Sequence, residues 1–494
     1  MHVLTVAGLS IPKPAGYPLA MSLLSQRPAA TAHAGNAGPA RVLVIVCAGV
    51  VMASLDLFIV NVALPQIARE LHEPSLGTLS WVLNGYAIIY AALLVLAGRL
   101  ADRHNRKHGF LLGVAVFTAG SAACGAAATV PMLIAFRLVQ AAGAALLTPT
   151  SLGLVLASYP PARRGGAVRA WTAAGGMAAA LGPAIGGLLV TASWRWVFLV
   201  NVPIGLAALV IGWRRLPDVP GHPGSRPDGL SAVLVTAGVG GLALALVRGG
   251  AWGWGSAATL AVLAGGAVML GLFVLRCARH HNPLVEPALF RVRGFAGTSA
   301  AMLLFSVSFG AMLLSIVLWM QAAWGWSALR TGLGVAPGPL MVPLFTFGVT
   351  GRLLARHGPA AVIGLGATVF SAGIGWWALA AGPRPDYLTV LPGMLVTGMG
   401  VGLTLPSLMS TAAASLPPHS FATGSAVVNM LRQVGFAVGV AMLVAVLGTP
   451  AGSGAELTAF RHGWYAAAAA GLLAAAAAVL LHRRPAGETA RVGA

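Results

Sequence analysis

The amino-acid sequence predicts an all-α, polytopic membrane protein with fourteen transmembrane helices. Three observations predict it: an apolar composition, a series of long apolar runs, and a one-sided distribution of basic residues. The chain has 494 residues, of which 58% are hydrophobic and only 8% charged, and its mean hydropathy is +0.85. A soluble globular domain is about a quarter charged. A soluble fold of this size could not cover so much apolar surface, so the sequence indicates a lipid environment.

The apolar runs are long enough to cross a bilayer, which takes about 20 residues in a helix. Fourteen such runs are present, near 42–64, 79–98, 109–128, 132–157, 168–191, 197–213, 230–248, 257–276, 296–320, 331–351, 359–381, 388–411, 421–448 and 463–481.

The basic residues alternate with these runs. With the N-terminus placed in the cytoplasm, 22 of the 30 Lys and Arg residues fall on the cytoplasmic side, six outside, and two, Arg137 and Arg432, within helices. Cytoplasmic loops of membrane proteins carry such an excess. The net charge of +20 therefore reflects topology, and we expect no nucleic-acid partner. The predicted location is the cytoplasmic membrane, multi-pass, with both termini cytoplasmic.

The two ends of the chain lack apolar runs. Residues 1–40 are rich in Pro, Ala, Gly and Ser and predict a flexible cytoplasmic tail, in which Met21 is an alternative start. This segment has no compact apolar core of the kind that a cleaved signal peptide needs. Residues 483–494 predict a second cytoplasmic tail.

An internal repeat divides the chain. GRLADRHN at 98–105 matches GRLLARHG at 351–358, and the same offset of 253 relates Gly182 and Gly186 to Gly435 and Gly439. Parallel six-helix halves are a known transporter layout, with the substrate site between them near the midplane. The sequence thus predicts an N-terminal six-helix bundle at 41–215, two inserted helices at 229–276, and a C-terminal six-helix bundle at 295–482.

Asp56 is the only one of the ten acidic residues that lies well inside an apolar run. A charged carboxylate there is costly unless it is paired or reaches water. Apolar surroundings favour its neutral form and a nearby guanidinium favours its charged form. A proton carrier needs this dependence on surroundings, so we predict Asp56 to be the coupling residue. A purely structural ion pair with Arg137 is the alternative.

Other polar side chains at membrane depth are candidates for a substrate cavity, although some of them could only bond between helices. These candidates are Asn61, Asn84, Gln140, Gln321, Asn429, Arg432 and Gln433. With one acid and two arginines inside the membrane, a dicationic substrate would find little compensation. We therefore expect neutral, monocationic or anionic substrates.

Three Trp-x-Trp pairs, Trp194/Trp196, Trp252/Trp254 and Trp324/Trp326, fall at predicted outer loops or helix ends. Tryptophan is enriched at membrane interfaces, so we expect these side chains to be interface anchors. Stacking on the substrate is the alternative.

Five motifs in order carry a resemblance to a known family: LDLFIVNVALPQI (55–67), GRLADRHNRK (98–107), RLVQAAGAA (137–145), GGMAAALGPAIGG (175–187) and WRWVFLVNVPIG (194–205). Together they resemble the major facilitator superfamily, in particular its fourteen-helix drug:proton antiporter branch of the EmrB/QacA type. The resemblance covers about residues 41–482. Two positions depart from the family pattern, Asn105 and Ala141, where glycine is usual.

The resemblance implies roles for the motif residues. It implicates the first-helix acid, Asp56, in coupling, and assigns Arg137 to proton transfer. The loop after the second helix would be a gate, formed by Gly98, Asp102, Arg103, Arg106 and Lys107. The fifth helix would carry the antiporter motif in Gly182, Pro183, Gly186 and Gly187, where a kink combines with a small-residue face.

The expected function is proton-coupled export of drugs, antibiotics or related small amphipathic molecules. A dedicated metabolite exporter or importer of the same fold is the alternative, and an integral-membrane transferase is a remote one. Histidines 104, 108, 280 and 281 lie in basic loops without a suitable acidic partner, no P-loop is present, and the three cysteines have no paired spacing. We therefore expect no catalytic site, metal or cofactor, the proton gradient as energy source, and a monomer.

Overall fold

The structure, a computed structural model, describes residues 38–221, 228–416, 421–448 and 453–482, and this part of the chain is helical with short connections. Apart from residues 38–40, the two predicted tails lie outside it. The first half of the bundle comprises α1 (Pro39–Glu70), α2 (Leu76–Arg103), α3 (Arg106–Gly125), α4 (Val130–Ser158), α5 (Pro161–Ala192), α6 (Trp196–Leu199) and α7 (Asn201–Arg215). Then come α8 (Gly229–Trp252), α9 (Ala257–Arg279) and a 3-10 turn (Pro287–Arg291).

The second half continues with α10 (Arg293–Leu318), α11 (Ala328–Val335), α12 (Pro337–Phe345), α13 (Gly351–Ala380), α14 (Tyr387–Ala414), α15 (Phe421–Leu447) and α16 (Ser453–His482). Single π-helical turns follow α10 (Trp319–Ala323) and α12 (Thr346–Thr350).

Within the described residues, twelve helices are long and apolar enough to cross a membrane, and a bent pair in α5 raises the number to thirteen. The two parts of α5, Gly166–Ala179 and Leu181–Ala192, meet at 44°. Pro183 lies just after the bend, and an internal proline removes a backbone hydrogen bond one turn earlier. One of the twelve stretches, Ala328–Ala380, is 53 residues long and contains Gly358 in a non-helical conformation with φ +75°.

Glycines set the closest helix approaches in both halves. A Cβ on Gly186 of α5 would lie 3.0 Å from the carbonyl oxygen of Ile59 on α1. A Cβ on Gly439 of α15 would lie 2.0 Å from the carbonyl oxygen of Val307 on α10. Small residues let membrane helices pack backbone to backbone. The glycines related by the 253-residue offset thus lie on corresponding helix pairs.

Helices α8 and α9, which the sequence predicts to be an insertion, form a hairpin. A Cβ on Gly266 of α9 would lie 3.1 Å from the carbonyl oxygen of Gly238 on α8, so the two helices approach closely. Arg276 donates two hydrogen bonds, of 2.7 and 2.9 Å, to Asp228 before α8. Burial raises the pKa of Asp228, but the bonds from Arg276 and Ser231 outweigh burial and lower this pKa to about 2. Helix α8 packs on α2 and α15, whereas only 11% of the apolar segment of α9 is buried in the protein. The hairpin therefore lies at the periphery of the bundle.

The prediction that all three Trp pairs are interface anchors is wrong for three of the six side chains. Trp194 is completely buried, and Trp324 and Trp326 are 7% and 8% exposed. Trp324 donates a hydrogen bond to the carbonyl of Gly382 and packs against Trp326, which packs against Tyr387. These rings join helices within the protein, while Trp196, Trp252 and Trp254 remain exposed.

The glycine packing predicts a selective effect of single methyl groups. Gly439→Ala should destabilise the protein by about 1–3 kcal/mol, because the added Cβ overpacks a backbone contact. Gly375→Ala on α13, where a Cβ would meet nothing within 4 Å, should be neutral or stabilising because alanine favours helix more than glycine does. Thermal unfolding of the two variants in detergent measures the difference, and equal midpoints would contradict the close approach of α10 and α15.

Candidate functional site: an intramembrane ion pair

Asp56 and Arg137 form an ion pair between α1 and α4. Arg137 donates from Nη1 to Oδ2 of Asp56, and both side chains are completely buried. Each residue lies well within its helix, so neither side chain can reach the helix ends and their polar surroundings. Two opposite charges in contact lower the cost that each would have in an apolar bundle. The structure therefore brings together the two residues predicted for coupling.

Gln140, one turn after Arg137, bonds to both members of the pair. Its Nε2 donates to Oδ1 of Asp56 at 2.8 Å, and its Oε1 accepts from Nη1 of Arg137 at 2.6 Å. Gln140 also donates to Ser121 of α3 at 2.7 Å. Asn201, the first residue of α7, donates to Oδ1 of Asp56 at 3.5 Å. The carboxylate thus has donors from α4 and α7.

Arg137 is also held by groups that carry no charge. Its Nε donates to the carbonyl oxygen of Val82 on α2 at 3.1 Å. Its guanidinium lies over the ring of Tyr86, 4.0 Å from the centroid, and 5.7 Å from the centroid of Phe198. Aromatic faces attract cations through their quadrupole. The positive charge of Arg137 is therefore stabilised even without Asp56.

Glycines of α3 and α4 place Gln140 and its neighbours. A Cβ on Gly120 of α3 would lie 2.9 Å from the Cα of Gln140, and a Cβ on Gly143 of α4 would lie 2.4 Å from the backbone nitrogen of Phe117. Both contacts need glycine, because real Cβ atoms do not approach backbone so closely. This close approach of α3 and α4 brings Ser121 within hydrogen-bond reach of Gln140.

The residues predicted to form an antiporter motif lie where α5 contacts α1 and α11. Gly182 and Gly186 pack on Phe58 and Ile59 of α1, whereas Gly187 packs on α11, where its Cβ would lie 2.6 Å from the carbonyl oxygen of Ala328. A Cβ on Gly332 of α11 would lie 2.2 Å from the carbonyl oxygen of Pro183.

Gln321 crosses between the halves at the same end of the bundle. It donates from the π-helical turn after α10 to the carbonyl oxygen of Val62 on α1 at 3.1 Å. Phe58, one turn before Val62 on α1, meets Phe309 of α10 edge to face, with their ring centroids 6.1 Å apart. The two halves are therefore in contact where α1 and α5 approach their C-terminal ends.

The predicted gating residues lie at the opposite end of the bundle, where α2 ends and α3 begins. Lys107 pairs with Asp218 at 3.6 Å, Arg106 donates to the carbonyl of Gly153 on α4 at 3.4 Å, and a Cβ on Gly98 would lie 3.7 Å from the Cβ of Pro149. Arg103 is half-buried. The side chain of Asp102 lies outside the described part of the structure.

Asn105, which departs from the family pattern, has a structural role in this loop. Its Oδ1 accepts from the backbone nitrogens of Lys107 and His108, and its Nδ2 donates to Asp218 at 3.2 Å. Asparagine is a favoured N-cap because it satisfies the free amides of the first helical turn. Asn105 therefore starts α3 and joins the loop to the segment after α7.

The remaining cavity candidates are not part of the ion-pair network. Asn61 donates to the carbonyl of Leu57 in its own helix at 3.2 Å, and Asn429 does the same with Ser425 at 3.0 Å. Asn84 is completely buried and neither atom of its amide has a partner among the described residues. The Nε2 of Gln433 is likewise without one. Arg432 lies half-buried on α15.

Four contributors to the ion-pair site were not predicted: Ser121, Asn201, Tyr86 and Phe198. Asn201 and Phe198 lie in the quoted motif WRWVFLVNVPIG, so the motif was a usable signal for both. Nothing in the local sequence distinguishes Ser121 from other serines in apolar runs. Among the described residues, no group of three or more His, Cys, Asp or Glu side chains could hold a metal ion.

Many membrane-spanning helices around a buried ion pair are typical of secondary membrane transporters. The family model described as Major Facilitator Superfamily matches residues 46–440, and the chain belongs to that superfamily. It is a multi-pass protein of the cell membrane.

Curated bacterial relatives are similar over most of the chain. The tetracenomycin C resistance and export protein of Streptomyces glaucescens is 32% identical, over 85% of this chain and 78% of the relative. The probable actinorhodin transporter of Streptomyces coelicolor is 35% identical, over 80% and 70%. The cephamycin export protein of Amycolatopsis lactamdurans is 35% identical, over 84% and 87%.

Solved structures share the fold at low sequence identity. A peptide transporter of the POT type, in complex with sulfate, superposes with a TM-score of 0.66 at 17% identity, covering 89% of this chain and 95% of that one. A bacterial homologue of the lysosomal transporter Spinster gives 0.65 at 17% identity, covering 90% and 96%. These likenesses concern the fold alone.

The buried pair predicts an asymmetric double-mutant cycle. Arg137→Gln should destabilise the protein by about 3 kcal/mol, because it leaves the Asp56 carboxylate buried without its cation. Adding Asp56→Asn should recover part of that loss, since the remaining side chains are then neutral. Thermal unfolding in detergent measures both effects, with Arg330→Gln, on the exposed Arg330 over Trp326, as control. Additive effects of the two substitutions would contradict a coupled pair.

Proposed function

We propose that this protein is a proton-driven exporter of small amphipathic molecules, including antibiotics. The relatives' names, which describe export of or resistance to tetracenomycin C, cephamycin and methylenomycin A, confirm the predicted class, an efflux transporter of the major facilitator superfamily. The energy source, the coupling residues and the cargo are proposals that rest on the geometry of this chain.

The fourteen-helix arrangement is part of the proposal. The bent pair in α5 counts as one span, and Ala328–Ala380, about 80 Å long as a helix, is more than twice the roughly 30 Å thickness of the hydrocarbon core. Dividing it at Gly358 gives two spans and a total of fourteen. The proposed order is then a six-helix bundle, the α8–α9 hairpin and a second six-helix bundle, with both termini cytoplasmic, as in the EmrB/QacA branch.

The observation that carries proton coupling is the position of Asp56. Among the described residues it is the carboxylate that lies completely buried in the middle of a spanning helix. Protonating Asp56 would remove the negative charge, but Arg137 would keep Gln140, the Val82 carbonyl and the faces of Tyr86 and Phe198. The site can therefore accept a proton without leaving the guanidinium unsupported, which a carrier needs in each turn of its cycle.

Helix α1 connects this carboxylate to the contact between the halves. Asp56 is followed within two turns by Phe58 and Ile59, which meet Gly182 and Gly186, and by Val62, whose carbonyl accepts from Gln321. A change in the Asp56–Arg137 pair would therefore move α1, the helix that contacts the second half through Val62. The positive-inside distribution places this end outside, so the described conformation is closed to the outside and the basic loop at 98–107 lies at the cytoplasmic gate.

The dedicated metabolite transporter of the same fold stays the second candidate. Its geometry would be the same, and only the range of cargo distinguishes it. Strong preference of the purified protein for dications over neutral compounds would contradict our expectation about charge in either case.

Exchange of Asp56 for asparagine tests the coupling directly. In inverted vesicles that contain the native protein, adding a transported neutral fluorescent compound should release protons, because export consumes the gradient. Asp56→Asn should reduce this release at least tenfold, since asparagine cannot carry the proton. Asp386→Asn is the matched control, because Asp386 is exposed and bonds only to Thr389 and nearby backbone. Undiminished release in Asp56→Asn would remove Asp56 from the mechanism.

The contact between α5 and α11 predicts a second effect. Gly332→Val should reduce transport at least tenfold, since its side chain would meet Pro183 and prevent closure at that end. Gly382→Ala in the loop after α13, where a Cβ meets nothing within 4 Å, should transport normally. Labelling by a membrane-impermeant thiol reagent of a cysteine introduced at Gln321 reports closure. Normal transport by Gly332→Val would show that closure between α5 and α11 is dispensable.

A further inference from the structure

Arg432 is the second arginine within the membrane, and it lies on α15 in the second half. It is about 16 Å along the helix axis from the first residue of α15 (Phe421), which is well inside a hydrocarbon core of about 30 Å. The side chain is half-buried. The positive charge of Arg432 therefore needs compensation at membrane depth, as the charge of Arg137 does.

The surroundings of the two arginines differ completely. Arg137 has a carboxylate, a glutamine, a backbone carbonyl and two aromatic rings. Arg432 has no hydrogen bond, ion pair or ring contact with any residue in the described ranges. Intramembrane cations are costly and are retained when they pair with another group or serve a pathway. Arg432 therefore has an unused positive charge and a full set of guanidinium donors.

Arg432 lies where the two halves face each other. Helix α15 packs against α2 of the first half. Tyr90 of α2 lies near Arg432, and the Tyr90 hydroxyl is 3.0 Å from the hydroxyl of Thr148 on α4. Tyr90 and Thr148 each lie about 15 Å from the ends of their membrane spans at Leu100 and Ser158. Arg432 is thus at the same depth as two hydroxyl groups of the first half, at the midplane level where such transporters bind substrate.

We propose that Arg432 binds the negative charge of the transported molecule, and that the preferred cargo is an amphipathic monoanion with a carboxylate or comparable oxyanion. The proposal rests on the proposed transport function and names its substrate class. Asp56 and Arg137 neutralise each other, so the membrane interior of the described residues has a net positive charge at Arg432. A guanidinium binds a carboxylate through two parallel hydrogen bonds, which gives strength and orientation together. A cationic cargo would be repelled from the same place.

Matched acids and esters test this assignment. The full-length protein in detergent is titrated with a panel of aromatic amphipathic carboxylic acids and with the methyl ester of each, and binding is followed by isothermal calorimetry. We expect the native protein to bind acids at least tenfold more tightly than their esters. Arg432→Gln should abolish this difference by weakening acid binding only, and Arg432→Lys should restore part of it, since lysine keeps the charge but lacks the bidentate geometry.

Arg461→Gln is the control, because Arg461 is also a half-buried arginine of a spanning helix but bonds to the carbonyl of Ala381 at the end of α13. It should keep the preference for acids. The proposal is overturned if esters bind as tightly as acids, if no acid of the panel binds, or if Arg432→Gln weakens acid and ester equally. Loss of gradient-driven transport with an intact acid preference would instead overturn the proposed exporter function and leave the anion site in place.

Discussion

A charged carboxylate in the middle of an apolar helix bundle is the constraint on which this structure depends. Asp56 is completely buried and far from either end of α1, so its charge must be compensated by side chains from neighbouring helices. Arg137 supplies the cation, and Gln140 and Asn201 supply further donors. Because these groups come from α1, α4 and α7, the helices are tied to one another by the chemistry of a single residue.

Backbone contact through glycine makes that compensation geometrically possible. The side chains of Gln140, Ser121 and Asp56 are short, and their hydrogen bonds of 2.7–2.8 Å require helix axes that are closer than bulky side chains permit. Gly120 and Gly143 provide this between α3 and α4, while Gly182 and Gly186 provide it between α1 and α5. Helix association in lipid has little hydrophobic driving force and depends on such packing and polar contacts. The glycines therefore bring the helices close enough for the side chains around the buried ion pair to form their hydrogen bonds.

The sequence could predict those features that follow from composition along the chain, and not those that follow from side-chain direction. An acid in an apolar run identified Asp56, and an arginine in another identified Arg137, because the cost of burial is visible without coordinates. Tyr86 and Ser121 were not predicted, since nothing in the local sequence shows which face of α2 or α3 they occupy. The interface-anchor prediction for Trp324 and Trp326 was wrong for the same reason, because residues near a helix end can face the protein as well as lipid. The 253-residue offset was informative because it compares positions, not orientations.

The intramembrane charges of the two halves differ, and the difference fits two separate tasks, proton coupling and cargo binding. Among the described membrane-spanning helices, Asp56 and Arg137 of the first half cancel when paired, so that one proton changes their net charge. Arg432 of the second half has no ion pair with any described residue. If one proton enters as one monoanion leaves, both movements carry positive charge inward or negative charge outward. Each charge moved with the membrane potential contributes about 2.3 kcal/mol per 100 mV. In a cell with a negative interior, the membrane potential would then act on two charges in each export cycle. An anionic cargo would thus use a greater part of the available energy than a neutral one, and a cargo bound at Arg432 would leave Arg137 paired with Asp56.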